Sequence, residues 1–205
     1  MRKKSEVPPV WPDAEEFVQM VEKHVGPWVL DTETDGLDVR GDRAKCEARY
    51  VGLMPHGGNF CCIFTRPSFE KVREVVECLA LIGHNLRFDL HALDLDPLVP
   101  FEDTMVTAYY RNTVGRRSLD HFASIYKWGK IETPEKIKQG KIMEMDPHEV
   151  AEYLADDCCT TSKLYALQHQ SVMGEVRHDY DVEHAVYRME SRGVRLIENR
   201  LASLG

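Results

Sequence analysis

The sequence predicts an α/β fold of three layers, in which helices cover both faces of a mixed sheet. Two observations lead to this prediction. The first half of the chain contains short apolar runs of strand length that are bounded by Gly, Pro and Asn. Longer helical segments lie between these runs and follow them, and elements in this arrangement favour a sheet that is packed between helices.

Four strands are predicted, at 27–32, 48–54, 59–64 and 79–83. The first follows Gly26-Pro27 and contains the run Trp28-Val29-Leu30, which is typical of a buried strand. The second and third are joined by Pro55-His56-Gly57-Gly58, a strong hairpin signal.

Seven helices are predicted, at 12–24, 68–77, 86–93, 104–111, 118–126, 147–172 and 176–192. The sixth has the clearest start, with Asp146 as N-cap and Pro147 in the first turn. With 205 residues, the chain has room for one domain of ordinary size and a tail. We expect an N-terminal extension and helix at 1–24, the main domain at 25–175 and a helical tail at 176–205.

Composition favours an intracellular globular protein. Hydrophobic residues make up 43% of the chain, which is enough for a core. No segment approaches the roughly 20 apolar residues of a membrane helix, and the N-terminus lacks the apolar stretch of a signal peptide. The six cysteines form no Cys-x-x-Cys pair, so we expect reduced thiols in a cytoplasm rather than a zinc site or a disulfide framework.

The first candidate functional segment is Asp31-Thr32-Glu33. Asp-x-Glu pairs also begin at Asp13 and Asp181, but those lie in polar stretches predicted as helices, where residues i and i+2 diverge. Asp31 instead ends the apolar run of the first strand. Because residues i and i+2 of a strand share a face, Asp31 and Glu33 are expected to point the same way and to form a metal-binding pair.

The second segment contains Asp89, which lies in the otherwise apolar Phe88-Asp89-Leu90 of a predicted helix. An unpaired carboxylate is costly there, and a cation would relieve that cost. Asn85 precedes the helix and has two interpretations, an N-cap or a substrate contact. His84 and His91 flank Asp89, but we do not assign them as ligands because hard cations prefer oxygen.

The third segment contains Tyr153 and Asp157. Four residues make one helical turn, so the phenol and the carboxylate are expected to share a face of the sixth helix. Asp156 is rotated away from that face. We interpret it as a solvated carboxylate without a role.

In this order the three segments resemble the three exonuclease motifs of the DEDD superfamily, tyrosine subfamily. The resemblance is greatest to the 3′-5′ proofreading domain of bacterial DNA polymerase I and other family A polymerases, and it spans about residues 25–172. Phe101–Met105 and the region around Arg116–Leu119 support it. A member of the histidine subfamily would carry His where Glu152 stands.

The resemblance implies an RNase H-like fold and two divalent metal ions, Mg²⁺ or Mn²⁺. Asp31 would bridge both ions, Glu33 and Asp157 would complete the first, and Asp89 would hold the second. Tyr153 would orient the attacking water. The substrate-binding candidates are Thr32, Leu37, Asn85, Phe88, Arg116 and Arg117. Leu37 has two interpretations, a wedge against the terminal base or ordinary loop packing.

The implied activity is a metal-dependent 3′-5′ exonuclease that releases nucleoside 5′-monophosphates from single-stranded DNA or frayed DNA 3′ ends. A 3′-5′ exoribonuclease of the same superfamily is an alternative. A catalytically inactive scaffold domain of a polymerase is another, although all four acids are present.

Residues 183–196 resemble the junction to a polymerase domain. A polymerase domain or subunit is therefore an expected partner, and we expect the chain itself to be monomeric. The expected location is the cytoplasm of a bacterium or of the host of a phage.

Charge is unevenly distributed along the chain. The formal net charge is −8, yet residues 111–141 contain eight Lys or Arg against three acids. This basic stretch predicts a surface that follows the phosphates of a nucleic acid. Two ordinary helices with solvated lysines are the alternative interpretation.

Overall fold

The computed structural model describes residues 5–36, 47–111 and 115–193, except for the side chains of 111 and 170–175. These residues form a six-stranded mixed sheet with helices on both faces, which confirms the predicted fold class. Along the sheet the strands have the order β1-β4-β3-β2-β5-β6. Their bounds are β1 Pro9–Val10, β2 Trp28–Thr34, β3 Ala48–Pro55, β4 Cys61–Thr65, β5 Leu81–Gly83 and β6 Glu102–Asp103.

All four predicted strands are present, and β2 lies near the centre of the sheet. It pairs antiparallel with β3 and parallel with β5. The prediction missed β1 and β6, which pair parallel with β4 and β5. Each has two residues, too few for an alternating pattern to indicate a strand.

The helices agree with the prediction over most of the described chain. Their bounds are α1 Ala14–Lys23, α2 Arg66–Phe69, α3 Arg73–Glu77, α4 Leu86–Leu93, α5 Thr104–Arg111, α6 Leu119–Ile125, α7 Glu135–Lys138 and α8 Pro147–Arg192. The helix predicted at 68–77 is two short helices instead. The prediction also missed α7 and a short 3-10 helix at Ile142–Glu144.

The two helices predicted at 147–172 and 176–192 are a single helix of 46 residues, α8. Gly174 lies inside it, and an isolated glycine weakens a helix by about 1 kcal/mol without breaking it. Tertiary contacts hold the second half: Tyr187 is buried and its hydroxyl donates to the carbonyl of Leu90 at 3.3 Å. Among the described residues, no helix combines the length and the apolarity that crossing a membrane requires.

The sheet separates two hydrophobic clusters, and the alternation of β2 decides which side each of its residues joins. Trp28 and Leu30 pack with Phe17 of α1 and with Leu86 and Leu90 of α4. Val29 packs on the opposite face, against α8 residues that include Val150 and Leu154. Asp31 and Glu33 share the alternation of Val29, so the strand directs both acids toward α8.

Candidate active site

Three acids from two distant parts of the chain meet between β2 and α8. Asp31, Glu33 and Asp157 each offer a carboxylate oxygen, and these atoms all lie within 4.8 Å of one another. Glu33 and Asp157 are buried, whereas Asp31 keeps part of its surface accessible. The two residues predicted on the strand and the one predicted on the helix therefore form one cluster with the spacing of a metal site.

Gly52 allows α8 to come this close to the sheet. It lies on β3 directly opposite Asp31 in the strand pairing. A Cβ atom at Gly52 would lie 2.8 Å from Cγ of Leu154 and 3.0 Å from Sγ of Cys158. Both contacts are closer than normal packing permits. Sequence analysis missed this residue, although a glycine inside a strand is a recognised sign of close backbone approach.

Asp89 lies beside the cluster on α4. It is buried, and Oγ1 of Thr32 donates a hydrogen bond of 2.6 Å to its Oδ1. Burial raises the pKa of Asp89 to about 8, against the opposing effect of the Thr32 hydrogen bond. Its negative charge in turn contributes to the raised pKa of Asp31. Thr32 thus orients Asp89, and its contact with substrate stays a prediction.

The N-terminus of α4 is held by Asp103 instead of Asn85. The carboxylate of Asp103 accepts hydrogen bonds from the backbone N–H groups of Asn85 and Leu86, at 3.0 and 2.8 Å. Asn85 has a left-handed backbone, with φ of 67°, and its side chain makes no capping hydrogen bond. Asn85 therefore occupies the N-cap position, as predicted, but its side chain does not cap the helix. Its side chain is exposed, and its contact with substrate stays a prediction.

The electrostatics of the cluster favour a bound cation. Burial, followed by the charges of Asp89, Asp157 and Glu33, raises the pKa of Asp31 well above its usual range. Burial and the charge of Asp157 do the same for Glu33. Burial raises the pKa of Asp157 to about 6, even though Lys130 acts in the opposite direction. Carboxylates that repel one another in a buried site become stable as anions when positive charge is added.

Lys130 supplies positive charge that sequence analysis did not anticipate. Its Nζ lies 2.6 Å from Oδ1 of Asp157 and 2.9 Å from Oδ1 of Asp120. Burial would lower the pKa of Lys130, but Asp157 and Asp120 outweigh this effect and raise it. The sequence placed this lysine in the basic stretch at 111–141. No local signal distinguishes it from its solvated neighbours.

Asp156 is buried, so its interpretation as a solvated carboxylate is wrong. Its side chain is 5% exposed, and Oδ2 accepts a hydrogen bond of 2.6 Å from the backbone N–H of Ile131. It is not one of the three clustered carboxylates, as the helical spacing predicts. The bond fixes the segment that carries Lys130, so Asp156 acts on the site indirectly.

Tyr153 lies one helical turn before Asp157 and is buried. Its hydroxyl is 3.0 Å from Oγ1 of Thr133 and 3.4 Å from Nζ of Lys130. Burial and the charges of Asp157 and Glu33 raise the pKa of Tyr153 above its usual range. At neutral pH the phenol is therefore protonated, and it can donate or accept a hydrogen bond but cannot act as a base.

The remaining substrate-binding candidates lie in different surroundings. Arg116 is exposed, and the guanidinium of Arg117 lies 3.4 Å from the ring centroid of Tyr109. Phe88 is partly buried against the core. Leu37 lies outside the described residues. The role of each in binding substrate stays a prediction.

A cavity of about 520 Å³ opens beside Lys130 and is also lined by Asp120, Lys127, Thr133 and Lys138.

Solved nuclease structures share this fold. Brucella melitensis NrnC with bound Mg²⁺ is 19% identical over 93% of this chain and 91% of its own, with a TM-score of 0.60. Trypanosoma brucei RNase D in complex with RNA U12 is 15% identical over 78% of this chain and 62% of its own, at 0.56. The POL domain of Pol1 from M. smegmatis, in complex with DNA primer-template and dNTP, is 12% identical over 89% of this chain and 30% of its own, with a TM-score of 0.58.

These neighbours are nuclease domains of the DEDD type, and at such identities the likeness establishes the fold alone. It extends to NrnC and RNase D as well as to a polymerase, so the narrower resemblance to polymerase I stays a prediction. No protein-family model and no curated protein matches the sequence.

Proposed function

We propose that this protein is a metal-dependent 3′-5′ exonuclease that acts on single-stranded nucleic acid. The observation that carries the proposal is the convergence of Asp31, Glu33 and Asp157 within 4.8 Å, with Asp89 close enough to raise the pKa of Asp31. Their spacing in the sequence and their order match the DEDD motifs. The direction of hydrolysis follows from that resemblance.

The donor set fits hard divalent cations. All three clustered ligands are carboxylates, and oxygen is the ligand atom that Mg²⁺ and Mn²⁺ prefer. Asp31, Glu33 and Asp157 would hold one ion, and Asp31 with Asp89 would hold another. Two bound ions would supply an activated water and stabilise the departing oxygen of the phosphodiester.

Tyr153 is placed to orient the attacking water. Its hydroxyl remains protonated at neutral pH and is held by Thr133 at 3.0 Å, so it can accept or donate one hydrogen bond in a fixed direction. Thr32 keeps Asp89 oriented through its 2.6 Å bond. Arg116, together with Lys138 beside the cavity, would bind backbone phosphates without reading sequence.

DNA is the substrate implied by the resemblance to proofreading domains, with a polymerase domain or subunit as partner. RNA is a second candidate, because the similar RNase D structure holds an RNA and the DEDD motifs do not distinguish the sugars. A monomeric chain in a cytoplasm remains our expectation from the sequence.

The proposal is tested with 5′-end-labelled single-stranded DNA and RNA oligonucleotides of one sequence, incubated with Mg²⁺, Mn²⁺ or EDTA. We expect a ladder of products shortened from the 3′ end with either metal and none with EDTA. A preference for one sugar would decide between the two substrate candidates.

Asp31→Asn should abolish the ladder while the protein stays folded. The matched control is Asp181→Asn, because Asp181 also begins an Asp-x-Glu pair but lies exposed on α8. Endonucleolytic products, cleavage that persists in EDTA, or equal activity in the two variants would refute the proposal.

A further inference from the structure

Lys130 is unusual because it is a lysine buried within a cluster of acids. Its side chain is 5% exposed, and its Nζ lies 2.6 Å from Oδ1 of Asp157, one of the three clustered carboxylates. The ammonium also lies over the ring of Tyr153, 4.6 Å from its centroid. Burying an ammonium is expensive unless it is paired, so a lysine that served only as a surface ion pair would not be placed here.

We propose that Lys130 is a resident counter-ion of the metal site: its ammonium neutralises Asp157 in the metal-free protein and must leave that carboxylate before a divalent ion can bind. The inference rests on the proposed metal site and adds a residue that competes with the metal. An ammonium nitrogen 2.6 Å from a ligand oxygen occupies space on the side of Asp157 that it approaches. The two cations would also repel each other strongly at such a distance.

Asp120 provides the place to which the ammonium moves. Its Oδ1 already lies 2.9 Å from Nζ, and its side chain is 60% exposed at the rim of the cavity beside the site. A lysine has a flexible four-carbon stem, so Nζ can leave Asp157 while it keeps Asp120 as a partner. The exchange thereby avoids an unpaired buried charge, and Lys130 and Asp120 are expected to affect metal affinity in opposite directions.

The test is the binding of Mn²⁺ alone, without nucleic acid, measured by isothermal titration calorimetry on the full chain at pH 8.0. The variants are Lys130→Met, Asp120→Asn and their combination. Met preserves the length of the side chain and its packing on Tyr153 but removes the charge. Lys127→Met is the matched control, since Lys127 lies three residues earlier on the same segment and is exposed.

Lys130→Met should tighten Mn²⁺ binding at least about 10-fold, because the competing cation is gone. Asp120→Asn should weaken binding several-fold, since the displaced ammonium loses its second partner. In the Lys130→Met background the same Asp120 change should have little effect, which makes the two changes strongly non-additive. Lys127→Met should leave the affinity unchanged.

Unchanged or weaker Mn²⁺ binding by Lys130→Met would overturn the inference, because Lys130 would then support the site without competing for it. Additive effects of the two changes would also overturn it. If Lys130→Met does not fold without metal, Lys130→Gln is measured in its place against the same expectations. A wild-type protein that binds no Mn²⁺ would instead refute the proposed function itself.

Discussion

The acids of the site and the lysine beside them lie on different kinds of structure. Asp31 and Glu33 belong to central β2, and Asp157 belongs to α8, elements fixed by regular hydrogen bonds and by burial on the two faces of the sheet. Lys130 lies in the irregular segment between α6 and α7. That segment is fixed by individual contacts, among them the bond from the Ile131 N–H to Asp156.

The positions of the acids and the position of Lys130 therefore have different physical causes. Helical and strand periodicity alone decides which way the acids point, and it does so before any long-range contact is known. The position of Lys130 instead depends on the path of the segment that carries it. Substitution of the acids should therefore affect the rate of cleavage directly. Substitutions that break the contacts of the segment between α6 and α7 should instead change the arrangement of charge around the acids.

The largest effect is expected for Asp157→Asn. The substitution removes the charge of a proposed metal ligand without changing its shape, and we expect cleavage to fall by on the order of 10,000-fold, as when one member of an interdependent catalytic group is lost. Single-turnover cleavage with saturating Mg²⁺ measures this effect. Circular dichroism should show an unchanged fold. Residual activity within 10-fold of wild type would remove Asp157 from the set of essential ligands.

Tyr153→Phe should have the next largest effect. It keeps the buried ring and removes the hydroxyl, so Mn²⁺ affinity and substrate affinity should persist while the single-turnover rate falls about 10- to 1,000-fold. The ratio of rate loss to affinity loss is the informative quantity. A wild-type rate would assign Tyr153 to packing and would leave the water to be oriented by another group.

Asp156→Ala tests the irregular segment that carries Lys130. The backbone N–H of Ile131 would lose its acceptor, which should destabilise the protein by about 1–3 kcal/mol. Displacement of the segment would also move Thr133, which holds the Tyr153 hydroxyl, and should lower cleavage about 10-fold, far less than the loss of Asp157. Chemical denaturation and steady-state rates measure the two effects. Asp156→Asn retains an acceptor oxygen and should recover most of both; failure to do so would implicate the charge of Asp156.

The smallest effect concerns stability and pH without metal. Folded-state pKa values of about 8 for Asp89 and about 6 for Asp157 exceed the ordinary carboxylate values, so the folded state binds more protons than the unfolded state. Stability should therefore fall as the pH rises from about 4 to about 8, by at least about 1 kcal/mol or a few degrees in Tm.

Melting curves at several pH values in EDTA measure this dependence. Asp89→Asn should flatten it, and Mg²⁺ should remove it because bound cations stabilise the anionic carboxylates. An equal slope in wild type and Asp89→Asn would show that the buried carboxyl of Asp89 does not contribute to the pH dependence of stability.

The sequence predicted the elements that have a periodic pattern of residues, and it missed features that depend on contacts between distant residues. Strand β2 and helix α4 came from apolar patterns, and the shared face of Tyr153 and Asp157 came from helical spacing. The merging of 147–172 and 176–192 into α8 was missed because contacts such as that of Tyr187 with α4 override a weak glycine.

Functional residues were missed for the same reason. Asp103 caps α4 from 18 residues away in the sequence, and Lys130 meets Asp157 through the course of an irregular segment. Gly52 was missed although a glycine in a strand carried a usable signal. The error at Asp156 came from treating rotation away from the site as exposure to solvent, whereas α8 is buried on that side as well.

The most direct test of the central claim is a crystal structure of the wild-type protein soaked in Mn²⁺, with anomalous scattering recorded to locate the metal. The account predicts an anomalous peak in contact with carboxylate oxygens of Asp31, Glu33 and Asp157, and a second peak between Asp31 and Asp89. The same soak should show Nζ of Lys130 withdrawn from Asp157 toward Asp120. Anomalous density absent from these carboxylates, in crystals that bind Mn²⁺ elsewhere, would contradict the account.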